Sequence, residues 1–236
     1  MSAPSFPPLM SSLAVTGAIA PFDKARAMAA LGCDAGLVVH NVTERTLAAA
    51  LVMAPEVPLA QAMAMLPACG VGFQNALGAL APPEVAVHLE WAGGIRVNGA
   101  RCGRLRVAAG GSDPAALPGW LVVGLEVPLM PETTRPGDTP DETALLEEGC
   151  AEVAPLTLLE AWARHTLVWI NAWEDEGVRP LHEAWRGLAW GMGEPLEHGS
   201  EAGTWLGVDE DFGMILRTGD DATRLIPLTS LLETSQ

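Results

Sequence analysis

The sequence predicts an α+β fold, a β-sheet flanked by helices and followed by a small β-rich unit. Three observations predict it. Trp120–Val127 (WLVVGLEV) is a near-continuous apolar run of the kind a central strand needs. Pro155–Glu176 carries two adjacent apolar stripes at helical spacing, one through Leu156, Leu159, Ala163, Leu167 and Ile170 and one through Trp162, Thr166, Trp169 and Trp173. From Gly191 the pattern changes to short β-runs separated by glycine and acidic turns, as in a small barrel or open sheet. The expected division is a main domain over 1–190 and a small β-domain over 191–236.

The elements follow in order. The proline-rich N-terminus predicts an extended arm lying on the domain. Pro21–Leu31 reads as a helix with Asp23 in its first turn and Gly32 as its stop. Gly36–His40 and Leu47–Ala54 read as strands joined by the polar turn Asn41–Thr46. Pro58–Leu80 reads as a helix kinked or split at Pro67, which has no N–H to give. Val85, Val87 and Leu89 share one face of a strand ending at Trp91. Asn98-Gly99 signals a two-residue hairpin between Ile95–Val97 and Ala100–Val107. Pro128–Asp141 is a polar, proline-rich loop. Pro180–Trp190 is a shorter helix. Four β-runs follow, Glu194–His198, Gly203–Val208, Met214–Arg217 and Arg224–Pro227.

Charge limits the partners. Thirteen basic residues against 29 acidic ones give a net charge of −16. Nucleic acid and anionic membrane surfaces both need a basic face, so neither is an expected partner. No run approaches the roughly 20 apolar residues of a membrane span. The N-terminus has no basic stretch before its apolar residues. A cytoplasmic location is expected. Cys33, Cys69, Cys102 and Cys150 lie too far apart for a zinc motif and read as reduced, mostly buried thiols.

Against this acidic background, Arg96, Arg101, Arg104 and Arg106 cluster on the hairpin. A two-residue loop pairs Val97 with Ala100, Arg96 with Arg101 and Ile95 with Cys102. Like charges directly opposite repel, so Arg96 and Arg101 ask for a phosphate or carboxylate between or over them. Gly93, Gly94 and Gly103 would let a ligand approach the backbone. The competing reading is that these arginines pair with the chain's own acids. His88 and Glu90 share a strand face and could form an acid/base pair, but a buried structural histidine or a surface pair is the preferred reading. Asp209–Asp211 reads as a turn, lacking the ligand count of a calcium loop.

These residues resemble a family, the biotin/lipoate protein ligases, and within it the biotin ligase branch. Glu90-Trp91-Ala92-Gly93-Gly94 stands where that family has Lys-Trp-Pro-Asn-Asp, and Arg101-Cys102-Gly103-Arg104-Leu105-Arg106 where it has Lys-x-x-Gly-Ile-Leu. Trp120–Val127 resembles its V-V-x-G-x-G-x-N-V strand, Glu142–Leu146 its Thr-Ser-Leu stretch, and Gly207-Val208-Asp209 its C-terminal Gly-Ile-Asp. The resemblance spans roughly 30–232. It implies a mixed sheet with helices on one side and a C-terminal SH3-like barrel. It implies ATP-dependent activation of a biotin- or lipoate-like acid to an acyl-adenylate, then transfer to a lysine of an acyl-carrier-type acceptor protein. ATP and magnesium are the cofactors it brings.

On this resemblance Arg101 takes the place of the catalytic lysine. Trp91, Gly93, Gly94, Arg96, Gly103 and Arg104 are the ligand-binding candidates, and no metal ligand set is assigned. The chain departs from the family pattern in three places. The Gly-Arg-Gly-Arg-x-Gly-Arg loop is missing between His40 and Leu47, the Pro-Asn-Asp is Ala92-Gly93-Gly94, and the asparagine of the G-x-G-x-N strand is replaced. The alternative expectation is therefore a non-catalytic ligand-binding or interaction module, and a homodimer through its sheet and tryptophans.

Overall fold

The computed structural model describes residues 4–131, 141–219 and 222–233. A seven-stranded mixed sheet has the order β1-β2-β3-β7-β6-β5-β4. Its strands are β1 (Ser11–Ala14), β2 (Leu37–Val42), β3 (Thr46–Met53), β4 (Val87–Leu89), β5 (Gly94–Val97), β6 (Ala100–Ala109) and β7 (Leu121–Pro128). β1 runs parallel to β2, and the other neighbours are antiparallel. The apolar run of β7 sits at the centre, where both faces of a strand are covered.

Among the described residues, five α-helices accompany this sheet: α1 (Pro21–Ala30), α2 (Leu59–Ala62), α3 (Met65–Leu80), α4 (Pro155–Glu176) and α5 (Val178–Leu188). The side chains of β3 and β7 alternate between two cores. Leu47, Leu51, Leu121, Val123 and Leu125 pack with α2–α5. Ala50, Val52 and Val122 pack with Phe22, Ala25 and Ala29 of α1. The helices are therefore not confined to one side, because α1 covers part of the opposite face. A Cβ on Gly124 of β7 would lie 2.6 Å from the Phe22 ring, so this glycine sets how closely α1 approaches.

Local differences from the expected elements have local causes. The helix break falls at Met63–Ala64 rather than at Pro67. Pro67 is the third residue of α3, within the first turn, where its missing N–H costs no helical bond. Contrary to the expectation that no run approaches a membrane span, the Leu59–Leu80 stretch is long and apolar enough by composition, but 72% of its most apolar window is buried inside the protein. The N-terminal arm is extended and becomes edge strand β1, with Met1–Ala3 outside the described residues. Most of the Pro128–Asp141 loop (132–140) also lies outside them.

The C-terminal unit is a four-stranded antiparallel sheet ordered β11-β10-β9-β8, built from β8 (Pro195–His198), β9 (Glu201–Val208), β10 (Met214–Arg217) and β11 (Thr223–Ile226). The change of pattern near residue 190 does not coincide with a gap in the core. Trp205, Phe212, Met214, Leu216 and Ile226 join the same apolar cluster as α3 and α4. The Trp91 indole donates to the Phe212 carbonyl at 2.7 Å. A 3₁₀ turn, Leu228–Leu231, then leads the chain back to the main sheet. There Leu232 bridges Val107, and the Glu233 N–H donates to the Val107 carbonyl at 2.9 Å.

Replacing Gly124 by Ala should push the Phe22 ring and α1 off the sheet. We expect a loss of about 1–3 kcal/mol in unfolding free energy, measured by urea titration. A change below a few tenths would mean that α1 is not held by this contact.

Candidate functional site

The hairpin forms with Val97 opposite Ala100 and Arg96 opposite Arg101. Asn98 and Gly99 have φ of 50° and 94°, the left-handed pair a tight hairpin turn requires. The expected pairing of Ile95 with Cys102 is displaced by a bulge. The next partners are Gly94 and Arg104, so β6 has one residue more than β5 over this interval. Cys102 and Leu105 consequently both face the α3–α4 core. Arg101, Arg104 and Arg106 fall on the opposite face, the one that carries α1.

The negative partner these arginines ask for is supplied by the chain. Glu90 Oε1 accepts from Arg96 Nε at 2.6 Å and from Arg101 Nε at 3.2 Å. Arg96 also donates to the Gly99 carbonyl at 2.6 Å and stacks over Trp190 at 5.1 Å. Arg104 donates through Nε and Nη2 to Glu126 Oε2 at 3.0 and 2.8 Å. Arg106 makes a two-pronged pair with Glu233, 2.6 Å on each arm, and its guanidinium lies 4.4 Å from the centre of the Phe22 ring. The reading in which the arginines pair with the chain's own acids thus describes all four. Of the two arginines at Glu90, Arg101 is the more open, its side chain 59% exposed.

The remaining site candidates have packing tasks. Trp91 is buried, donates to Phe212 and meets His198 edge-on at 5.1 Å. A Cβ on Gly93 would lie 2.6 Å from the Leu105 carbonyl oxygen, and one on Gly103 would lie 2.5 Å from that of Glu126. A Cβ on Gly94 would collide with Glu90 Oε2. The space an aspartate at 94 would need is therefore filled by the Glu90 carboxylate. Glu90 accepts from two arginines, and among the described residues no hydrogen bond joins it to His88. The His88 ring instead meets Trp190 at 5.2 Å.

A groove of about 260 Å³ opens on the α1 face. Gly17–Phe22 forms one wall, Asn41, Thr43, Thr46 and Ala48 another, and Arg106, Gly124 and Glu126 the floor. The expected absence of a long loop here is met by a tight β2–β3 turn. The Thr43 hydroxyl accepts from the Arg45 and Thr46 N–H groups, and Arg45 reaches the Pro131 carbonyl. A larger groove of about 1010 Å³ lies between Pro8–Met10, α2 and the end of α4, but its lining has no basic residue to hold an anion. Among the described residues no cluster of His, Cys, Asp and Glu could hold a metal. Burial pushes the Cys102 thiol up to about 12 and raises Cys69 and Cys150 as well, so none offers a thiolate at neutral pH.

Of the candidate site residues, Arg106 is counted in the arginine cluster from sequence but not among the ligand-binding candidates, and Glu233 is not found from sequence at all. Alternation along β6 places Arg106 with Arg104 on one face and would have added it. Glu233 lies 127 residues away and carries no local signal.

A family model described as "Biotin/lipoate A/B protein ligase family" matches residues 6–187, and one described as "Domain of unknown function (DUF4444)" matches residues 192–234. A search of curated proteins finds no match. Among solved structures, a biotin protein ligase-like protein of unknown function from Silicibacter sp. TM1040 superposes with a TM-score of 0.93 at 61% identity, covering 98% of this chain and 100% of that one. The biotin protein ligase of Aquifex aeolicus gives 0.72 at 13% identity over 94% and 96% of the two chains. That of Leishmania major, in complex with biotinyl-5-AMP, gives 0.57 at 17% over 93% and 99%. At these two identities the likeness is one of fold.

Glu90→Gln keeps the shape but removes the charge that separates Arg96 from Arg101. We expect a loss of about 1–2 kcal/mol by urea titration. An unchanged midpoint would show that the carboxylate is dispensable. Arg106 beside Glu233 holds its carboxyl below the usual carboxylate range, with Arg26 and Arg104 adding to the effect. The stability from this pair is present above the ordinary carboxylate pKa of about 4.3 and is lost as pH falls through the lowered value. Amide exchange at Glu233 should therefore stay flat from neutral pH down to about 5, after correction for intrinsic rates, and rise only in stronger acid. A rise beginning near neutrality would contradict the pairing.

Proposed function

The chain belongs to the biotin/lipoate A/B protein ligase family, and from that premise we propose that it binds a small carboxylic acid, or the acyl-adenylate made from one, on the α1 face of its sheet. The observation that carries this reading is the groove beside a row of arginines. The apolar body of the acid would lie between Gly17–Phe22 and Ala48, with Gly124 beneath it. Its carboxylate would turn toward the arginines of β6. At about 260 Å³ the groove falls just below the roughly 300–1,000 Å³ of typical ligand cavities, which suits an acid of biotin or lipoate size and not a whole adenylate. The nucleotide part would lie over the open face beyond it. Proteins of this fold have been solved with biotin and ATP and with biotinyl-5-AMP, which supports the choice of ligand class.

In an adenylate-forming step the acid's carboxylate oxygen would attack the α-phosphorus of ATP and pyrophosphate would leave. A lysine of an acceptor protein would then displace AMP. Arg101 is the residue we assign to the charge developing at the α-phosphate, while the acid's carboxylate would meet Arg106, the arginine that lines the groove. The exposed Arg101 side chain can leave Glu90 at little cost, as exposed pairs contribute about 1 kcal/mol or less. Arg96, Arg104 and the glycines at 93, 94 and 103 would shape the surface beneath the ligand. The arginines fit phosphate oxygens. The described residues offer no dedicated magnesium ligand set, so no step is assigned to a metal.

The short β2–β3 turn favours a second reading, a binding protein without turnover. Calorimetry with biotin, lipoate and octanoate, followed by pyrophosphate release with ATP and magnesium chloride, separates the two. We expect one acid to bind. If adenylate forms, Arg101→Ala should slow it by about a hundredfold. Binding without pyrophosphate release selects the second reading. No binding of any acid, with or without ATP, overturns both.

A further inference from the structure

We propose that Glu233 is a built-in competitor for the ligand, a carboxylate that occupies Arg106 and must be displaced before the carboxylate of an acid can reach it. This inference rests on the acid-binding reading and adds how that site is controlled.

Three observations support it. Arg106 lines the groove, yet its Nε and Nη2 are both taken by Glu233 at 2.6 Å. That two-pronged geometry is the one a free carboxylate would adopt with a guanidinium. The floor of the groove is also neutral as it stands. Arg104 is paired with Glu126 and Arg106 with Glu233, so an incoming anion meets no net positive charge until one acid withdraws. The two acids differ in how their backbones are held. Glu126 lies on β7, paired on both sides within the sheet. Glu233 follows the last 3₁₀ turn and is joined to the sheet by its N–H bond to Val107 and the bridge at Leu232. Arg106 also rests on the Phe22 ring, a second residue of the groove lining, so it keeps a neighbour there when Glu233 leaves.

The test uses the full chain, its Glu233→Gln variant and its Arg106→Gln variant, with biotin, lipoate and octanoate as probes. Affinity is read by calorimetry, and the backbone amide at position 233 by hydrogen exchange. We expect Glu233→Gln to bind the preferred acid about five- to tenfold more tightly, and Arg106→Gln to lose binding. Binding to the unaltered protein should speed exchange of the Glu233 amide. Equal affinity of Glu233→Gln and the unaltered protein overturns the proposal and leaves the acid-binding reading intact. Weaker binding by Glu233→Gln also overturns it, because Glu233 would then position Arg106 for the ligand. Failure of every acid to bind both proteins overturns the acid-binding reading and this inference together. Cooperative urea unfolding of each variant guards against misfolding as the cause.

Discussion

The site depends on one extra residue in β6. Side chains along a strand alternate between faces, so Arg101 and Arg104, three apart, would fall on opposite sides of a regular sheet. The bulge at Cys102-Gly103 reverses that parity. It lets Cys102 and Leu105 both enter the α3–α4 core and brings Arg101, Arg104 and Arg106 into one row on the other face. Gly103, with φ of 139°, takes the backbone shape the bulge needs and passes close to the Glu126 carbonyl, where a Cβ would not fit. A side chain there would disturb both the packing of β6 on β7 and the alignment of the arginines.

The row is basic in sequence and neutral in space. Glu90, Glu126 and Glu233 each meet one or two of its guanidinium groups. In a chain with 29 acids and 13 basic residues this is the expected fate of any exposed cation. Partly buried and two-pronged pairs hold their geometry better than solvated ones, so Arg96 and Arg106 are the more firmly fixed and Arg101 the more mobile. The family architecture is therefore kept while the charges within it are rearranged. The carboxylate of Glu90 fills the space that an aspartate at 94 would use. A shared fold constrains where a ligand can lie and leaves open what is done to it.

Much of the fold was legible because its signals are local. Asn98-Gly99 encodes the turn, the apolar run of β7 encodes its central place, and the stripes on α4 encode burial on a wide face. What was not legible depends on partners distant in sequence. The helix break moved away from Pro67 because a proline in the first turn is harmless. The position of α1 across the sheet follows from a contact between Phe22 and Gly124, and neither residue signals the other. In the site, the like-charge pairing of Arg96 and Arg101 was readable from register alone. Register does not say what relieves it, and the relief comes from Glu90, an acid of the chain itself that lies beside both. Glu233 could not be anticipated, since nothing near the hairpin points to a residue so far along the chain.

The Trp91 indole bonded to the Phe212 carbonyl has a consequence for how such a protein can change over generations. It lies where the two sheets share one apolar core, with Trp185 meeting both Trp205 and Phe212 edge-on. A C-terminal unit taken from a distant relative would have to bring a carbonyl and ring surfaces matched to these tryptophans. Recombination at the apparent boundary would seldom supply them. The small sheet and the tryptophans beneath it are therefore expected to be inherited as one piece, with substitutions on one side answered on the other.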